Sequence, residues 1–247
     1  MCTLVFAWQV FPDAPLVAGA NRDELLDRPS NPPEILSESP RALAPRDETA
    51  GSTWIGYNER DVFVAITNRW TDEDVPADRS RGLLVRDALG QSSAEAAARL
   101  VERELDDRSY DGFNLVLADP SAALYVEWDG SRRSVRNFDP GVHVVVNVGA
   151  DGDYVVPQSR ADAGEAQAQN ADAVATALTV EPGETSTAWL DRAADVISDH
   201  EYGVCIHRDT FGTRSSSLIE IGEEGSRYRY ADGPPCETDY RSVEGQI

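Results

Sequence analysis

Cys2 is the residue of this sequence that carries the clearest chemistry. A small residue after Met1 permits removal of the initiator methionine, which would leave Cys2 with a thiol of pKa about 8.5 and an α-amine of pKa about 8. A nucleophile and a base would then lie on one residue, because the terminal amine can take the proton that the attacking thiol loses. The alternative is an ordinary thiol in an N-terminal strand, since most cysteines behave as small buried hydrophobes.

The elements that must position Cys2 begin with a predicted hairpin. Two apolar runs, 1–6 and 16–20, flank a segment with two prolines at 11–15, and this pattern predicts two paired strands. Asn21 and Asp23 follow the second run, so we expect both to return close to Cys2. Asn and Asp are also common turn residues, and a plain turn is the alternative.

Several ordered segments resemble the NRDE family, also called the transport and Golgi organisation protein 2 family. Met1-Cys2 with its apolar strand and Ala20-Asn21-Arg22-Asp23-Glu24 carry the resemblance, together with segments at 51–56, 65–68, 110–115, 146–147 and 211–215. That family is similar to the N-terminal nucleophile (Ntn) hydrolases, especially the cysteine type that cleaves bile-salt and penicillin amides. The resemblance implies an α+β fold, a four-layer αββα sandwich of two antiparallel sheets.

The resemblance also implies roles for residues of the predicted hairpin. Asn21 and Asp23 match an Arg-Asn-x-Asp turn of the cysteine amidases, in which the Asp holds the amine of the nucleophile. The arginine of that turn is Ala20 here, and Arg22 occupies the intervening position. Successive strand residues point to opposite faces, so whether Arg22 supports the site or pairs outside it is open.

Three further residues align with the amidase site. Asn68 and Asn147, each at a predicted strand end, match the oxyanion-hole asparagines, where a neutral donor typically supplies about 2.7–4 kcal/mol. Asn147 is the stronger candidate, because a clean apolar run at 142–146 ends at it. Arg214 matches an arginine near the thiolate, and a nearby cation lowers a thiol pKa. Strand-end turns and a surface charge are the alternatives.

The charge balance indicates adaptation to concentrated salt. The sequence has 44 acidic and 22 basic residues, a net charge of −22, and all its basic residues are Arg. At about 1 M salt the Debye length is about 3 Å, so acidic self-repulsion is screened. The same charge argues against nucleic acid or an anionic membrane as partner.

Cysteine and histidine usage predicts no metal and no cofactor. The three cysteines and three histidines show no metal-type spacing, and an odd cysteine count does not predict a disulfide framework; they are Cys2, Cys205, Cys236, His143, His200 and His207. No apolar run approaches the roughly 18 residues of a membrane span, and no signal-peptide pattern opens the chain. We therefore predict a cytoplasmic protein.

The order of predicted elements agrees with the implied fold. One domain over 1–247 is expected, with strands at 52–57, 62–67, 113–118, 123–128, 135–138, 142–146, 203–207, 215–221 and 227–230 and helices within 80–107, 158–178 and 186–200. The proline-rich stretch 28–46 is predicted to be a surface excursion, and the tail after Asp232 to be loosely ordered. Strands alternating with helix pairs favour two antiparallel sheets covered by helices; a sandwich covered on one face is the alternative.

Two functions from different classes follow. The first is an N-terminal-cysteine hydrolase that cleaves a linear amide or acyl compound through a thioester. The second is a carrier or chaperone on the same fold that binds a hydrophobic anion such as acyl-coenzyme A, a lipid or haem. Either function requires a small-molecule partner, and a fold alone does not decide between them.

Overall fold

A computed structural model describes residues 2–73, 76–222 and 225–247. The chain forms two compact units. The first joins the segment ending at Arg28 to Pro140–Gln246, and the second is Pro29–Asp139 with Ile247. Removal of Met1 concerns a residue outside the described part, and the single domain stays a prediction. None of the helices described is long and apolar enough to cross a membrane.

The elements follow one another as strands and helix pairs. The strands are β1 Thr3–Trp8, β2 Leu16–Leu25, β3 Ser30–Glu38, β4 Arg41–Asp47, β5 Ile55–Asn58, β6 Phe63–Asn68, β7 Phe113–Ala118, β8 Ala123–Trp128, β9 Arg133–Asn137, β10 Gly141–Val146, β11 Gly149–Ala150, β12 Asp153–Tyr154, β13 Phe211–Ile221, β14 Arg227–Ala231 and β15 Arg241–Ser242. The helices are α1 Arg81–Leu89, α2 Ala94–Asp107, α3 Ala161–Ala177 and α4 Ser186–Ser198, with short 3-10 helices at Gln158–Arg160 and His200–Tyr202.

The first unit is built on an eight-stranded antiparallel sheet. Its strand order is β12-β11-β10-β1-β2-β13-β14-β15, so β1 and β2 lie in the middle. All six residues of β1 are buried. The predicted hairpin of β1 and β2 is confirmed, with Thr3 opposite Asn21. Helix α3 packs on β10, and α4 packs on β2 and β13.

The second unit carries a seven-stranded antiparallel sheet in the order β3-β4-β5-β6-β7-β8-β9. Helix α1 packs on β5 and β6, and α2 packs on β7 and β8. The buried residues of α2 recur along one face, with Ala97, Val101 and Leu105 at spacings of four. The Ser93 side chain caps this helix by accepting a hydrogen bond from the Ala96 N–H.

The prediction of a surface excursion at 28–46 is wrong, because this stretch forms β3 and β4. β3 is the edge strand of its sheet, where proline is tolerated, and its pairing with β4 is irregular between Asn31 and Glu34, across the two prolines there. Pairing of β4 with β5 involves Ala42 and Leu43 and ends before Pro45. The prolines therefore lie where the ladder needs no N–H donor.

Two predictions near the C-terminus are also wrong. Residues 203–207 form no strand, and only His207 makes an isolated bridge, to Gly212. Side chains satisfy much of this backbone instead: the Asn21 amide donates to the Val204 carbonyl, and the Thr213 hydroxyl accepts from the Ile206 N–H. The tail after Asp232 is ordered, since it includes β15 and its Gln246 side chain exchanges two hydrogen bonds with the main chain of Tyr228.

Candidate active site

Adjacent strands of the first unit bring the predicted residues to one end of the sheet. β1 pairs with β10 on one side and with β2 on the other, so that Leu4 lies opposite both Val145 and Ala20. Cys2 precedes β1, Asn147 follows β10, and Asp23 lies in β2. Residues distant in sequence thereby meet around the half-buried Cys2.

Cys2 contacts both neighbouring strands. Its main-chain N donates a hydrogen bond of 2.9 Å to Asn147 Oδ1. Its Sγ lies 3.7 Å from the main-chain oxygen of Asp23, which can accept from the thiol. The nitrogen held by Asn147 is the one that would become the terminal amine on removal of Met1. The contact therefore positions the atom that the predicted chemistry uses as a base.

Asn147 is itself held by a residue that the sequence did not reveal. Gln167 on α3 donates from Nε2 to Asn147 Oδ1 at 2.9 Å, and its Oε1 accepts from the Asn147 main-chain N–H at 3.1 Å. Because two N–H donors converge on Oδ1, the orientation of the Asn147 amide is fixed. Both side chains are buried, and a buried glutamine in an alanine-rich helix leaves no signal in the sequence pattern.

The Asn21 side chain links β2 to the end of α4 and to the segment that follows it. Its Nδ2 donates to the Ile197 carbonyl at 2.7 Å and to the Val204 carbonyl at 2.9 Å. Its Oδ1 accepts from the Ser216 hydroxyl at 2.7 Å. These contacts use both ends of the amide, so Asn21 holds the strand that carries the site.

Asp23 is a buried carboxyl next to Cys2. Its Oδ1 accepts a hydrogen bond of 2.6 Å from the Thr213 hydroxyl, which in turn accepts from the Ile206 N–H. Burial raises the pKa of Asp23 to about 6, although the Thr213 hydrogen bond and the positive charge of Arg208 act in the opposite direction. Thr213 adjoins Arg214 in a sequence motif, but no role was predicted for it.

Arg22 lies on the same face of the sheet as Cys2. Thr3 pairs with Asn21, so continuing the register by one residue sets Cys2 opposite Arg22. The Arg22 side chain is 6% exposed and lies 3.8 Å from Glu24. Burial raises the pKa of the Cys2 thiol and the negative charge of Asp23 adds to this, whereas the Arg22 charge lowers it. Arg22 is two positions from Ala20, so it faces the side that the amidase arginine would face.

Arg214 and Asn68 are the two remaining residues predicted for the site. Arg214 is the extra residue where the pairing of β13 with β2 shifts between Thr213 and Ser215. Burial raises the pKa of Tyr230 to about 12, while the charges of Arg22 and Arg214 lower it, so both guanidinium groups act on that phenol. Asn68 is the exposed last residue of β6, in the second unit.

The comparisons with known sequences match one family over most of the chain. The family model described as Transport and Golgi organisation 2 matches residues 1–232. The mouse Transport and Golgi organization 2 homolog is 33% identical over 134 residues, which cover 50% of this chain and 47% of that protein. The human homolog is 32% identical over 134 residues, which again cover 50% of this chain and 47% of that protein. The matched stretch thus covers about half the length of these relatives.

Solved structures with the same fold are named as an acylase, a hydrolase and an amidase. Penicillin V acylase from Agrobacterium tumefaciens superposes with a TM-score of 0.56 at 14% identity, over 94% of this chain and 83% of that one. A mutant conjugated bile acid hydrolase from Clostridium perfringens superposes with a TM-score of 0.57 at 13% identity, over 100% of this chain and 94% of that one. The Caenorhabditis elegans ortholog of N-acylethanolamine-hydrolyzing acid amidase has a TM-score of 0.58 at 12% identity, over 88% of this chain and 92% of that one. The expected α+β fold of the Ntn-hydrolase kind is confirmed.

Proposed function

The chain belongs to the Transport and Golgi organisation 2 family, and from this premise we propose that it is an N-terminal-cysteine hydrolase of a linear amide or acyl compound. One observation carries the proposal. The main-chain nitrogen of Cys2 is held at 2.9 Å by Asn147, beside a thiol that lies across the strand register from Arg22. A nucleophile, its base and a cation are thereby assembled around one residue.

The reaction uses two acyl transfers. Cys2 Sγ attacks the substrate carbonyl carbon while the terminal amine takes the thiol proton, and that proton then passes to the departing amine as the carbon–nitrogen bond breaks. The product is a thioester on Cys2 and a free amine. Water then attacks the thioester carbon and gives a proton to the terminal amine. Cleavage of the carbon–sulfur bond releases the carboxylic acid, and the sulfur regains its proton.

Surrounding residues have distinct parts in this scheme. Asn147 keeps the amine in place with Oδ1, and its Nδ2 is a neutral donor of the kind that stabilises an oxyanion. Arg22 favours the thiolate, and the resemblance to the amidases implies that Asp23 holds the charged amine. Asn68 is proposed as a second oxyanion donor and Arg214 as a further cation, both from the resemblance to the amidases. Asn21 positions β2.

The substrate is proposed from the names of the structural neighbours. Those names refer to penicillin V, conjugated bile acids and N-acylethanolamines, in which an apolar acyl group is joined through an amide. We expect a small acyl amide, handled in a reducing cytoplasm where the Cys2 thiol stays free. Neither nucleic acid nor membrane insertion is needed for this chemistry.

A carrier of a hydrophobic anion is the second candidate. The observation that favours it is the burial of the Cys2 thiol, which raises the thiol pKa and so disfavours the thiolate. Carriage needs shape and charge complementarity but no nucleophile. Acyl-coenzyme A, a lipid or haem would then bind without turnover.

Mass spectrometry of the intact protein tests the hydrolase. We expect purified protein to lack Met1 and to gain one acyl mass when it is mixed with a panel of acyl amides. Peptide mapping should place the adduct on Cys2, and Cys205 and Cys236 serve as internal controls in the same sample. An adduct on another cysteine, or none with any acyl amide, would contradict the proposal.

Calorimetric titration separates the two candidates. The Cys2→Ala variant is titrated with acyl-coenzyme A and with haem, and turnover of acyl amides by the wild type is measured in parallel. Wild-type affinity in the variant without any turnover by the native protein would favour the carrier. Hydrolysis that requires Cys2 would favour the enzyme.

A further inference from the structure

A second group of thiols and imidazoles lies in the first unit, away from any role in the proposed reaction. His200 belongs to the 3-10 helix after α4, Cys205 and His207 follow it, and Cys236 comes from the C-terminal segment. One ligand atom from each of these residues lies within 4.8 Å of the other three. The sequence spacing predicted no such cluster.

Three of the four ligand atoms are packed closely together. Cys205 Sγ lies 3.5 Å from Cys236 Sγ and 3.7 Å from His207 Nε2. His207 Nε2 lies 3.1 Å from Cys236 Sγ. The ring of His200 lies beside that of His207, with centroids 5.1 Å apart. His200 therefore provides the fourth and outermost ligand atom.

We propose that His200, Cys205, His207 and Cys236 form a tetrahedral zinc site. With Zn–S bonds of about 2.3 Å and Zn–N bonds of about 2.0 Å, two sulfur ligands of a tetrahedron lie about 3.8 Å apart. A sulfur and a nitrogen lie about 3.5 Å apart by the same geometry. The two observed S–N separations lie on either side of the second value, and the S–S separation of 3.5 Å is slightly shorter than the first, so small shifts of exposed side chains would complete the tetrahedron.

The chemistry of the ligands selects the metal. Two thiolates and two imidazoles are borderline-soft donors that suit zinc, whereas magnesium and calcium prefer oxygen ligands. Binding releases the two thiol protons to solvent, and the thiolate charges neutralise the divalent ion. A disulfide between the cysteines would require the two sulfur atoms to approach to about 2.05 Å, far closer than they lie here.

Four protein ligands leave no open position, so the site is structural rather than catalytic. Zinc would join residues 200–207 to the C-terminal segment, whose Cys236 lies beyond the family match at 1–232. The joined loop supports the candidate active site, because Val204 accepts from Asn21 and Ile206 contacts Thr213. The proposal does not depend on the hydrolase reaction.

Metal analysis of the whole chain tests the site. Protein reduced and freed of metal with a chelator is incubated with zinc chloride, dialysed, and analysed by inductively coupled plasma mass spectrometry. We expect one zinc per chain and a higher melting temperature in the zinc-loaded sample. Substitution by cobalt should give the visible bands of a tetrahedral ion and a thiolate-to-cobalt charge-transfer band.

The chain has three cysteines and three histidines, and the proposed site uses two of each, so the remaining cysteine and histidine provide matched control variants. Cys236→Ser and His200→Ala alter exposed ligands, and each should weaken zinc binding by at least about tenfold while far-ultraviolet circular dichroism stays native. Cys2→Ala and His143→Ala remove the remaining cysteine and histidine and should leave zinc stoichiometry unchanged. Zinc that stays bound in both ligand variants, loss of zinc in either control, or a reduced wild type that binds none would overturn the proposal. So would a Cys205–Cys236 disulfide in protein that takes up no zinc after reduction.

Discussion

The first unit contains two thiol-bearing regions that are built differently. Cys2 directly precedes β1, whose register with β2 and β10 brings Arg22 and Asn147 close to it, and Asn147 holds its main-chain nitrogen. Cys205 and Cys236 come from irregular segments and meet each other and His207. The Cys2 region offers one sulfur atom that can attack a substrate. In the other region, sulfur and nitrogen ligand atoms converge on one point where a metal ion can bind. The same side chain thus suits nucleophilic chemistry in one region and coordination in the other.

Thiol labelling should separate the two regions most clearly. With limiting iodoacetamide at neutral pH, we expect Cys2 to be labelled at least about a hundredfold faster than Cys236 in zinc-loaded protein that lacks Met1, because coordinated sulfur is withheld from the reagent. Peptide mapping reports the ratio. Chelation should expose Cys236, and an N-terminal extension that keeps Cys2 N in an amide should slow Cys2. Equal labelling of Cys2 with and without that extension would contradict the proposed base.

Asn147→Ala tests the oxyanion part of the Cys2 region. Acylation by an amide substrate should fall by about a hundredfold to a thousandfold, because a donor to the developing charge is lost. Labelling of Cys2 by iodoacetamide should fall far less, since alkylation forms no oxyanion. Gln167→Ala should give a smaller loss, about tenfold, by releasing the Asn147 amide. The exposed Gln169→Ala on the same helix is the matched control.

Arg22→Met tests which arginine acts on the Cys2 thiol. We expect the Cys2 pKa to rise and labelling at neutral pH to slow by about tenfold, because the Arg22 charge favours the thiolate. Arg22→Lys should restore part of the rate. Arg214→Met should change the pKa of Tyr230 more than that of Cys2. A pH profile of the labelling rate gives the Cys2 pKa in each variant. If Arg214→Met shifts that pKa more than Arg22→Met does, Arg214 is the arginine that acts on the thiol.

The pH dependence of stability should report the buried carboxyl of the Cys2 region. The Asp23 pKa is raised from 3.8 to about 6 in the folded state, so its contribution is complete below pH 3.8 and is lost as pH rises through 6. Relative to Asp23→Asn, the wild type should lose about 2 kcal/mol of unfolding free energy between pH 4 and 7. Chemical denaturation of both proteins with zinc present measures this difference. A difference that does not vary with pH would rule out the raised pKa.

Salt should affect both regions together. We expect the melting temperature to rise by about 5 °C, or roughly 2 kcal/mol, between dilute buffer and 2 M potassium chloride, because the net charge of −22 is screened. The rise should be the same with and without zinc, since it comes from the whole surface. Differential scanning calorimetry gives both values, and a flat melting temperature would exclude salt adaptation.

Local pattern predicted the Cys2 region well. The apolar run that forms β10 ends at Asn147, and the two runs around the turn at 11–15 form β1 and β2. These features depend on residues close in sequence, together with the resemblance to a known family. The contact of Gln167 with Asn147 was not predictable, because it forms only when α3 packs against β10. The side of the sheet that Arg22 faces required the register of β1 with β2.

The Cys/His cluster was not predictable by spacing rules. Cys205 and Cys236 are separated by 31 positions, far more than the roughly two to four residues between the paired cysteine ligands of most zinc sites. The short spacing of Cys205 and His207 was a weak signal, hidden by the apolar residues that suggested a strand. Strand β3 was missed for a similar reason, since prolines argue against a ladder unless the strand is known to lie at an edge.

The discontinuous first unit has a consequence for biosynthesis. Cys2 bonds to Asn147, 145 positions later in the chain, so the two cannot meet until β10 has left the ribosome. At about 5–20 residues per second, that delay is roughly 7 to 30 s. During this interval the nascent N-terminus is open to the enzymes that trim initiator methionine. We therefore expect the speed of translation, relative to trimming, to set the fraction of chains whose Cys2 amine is free.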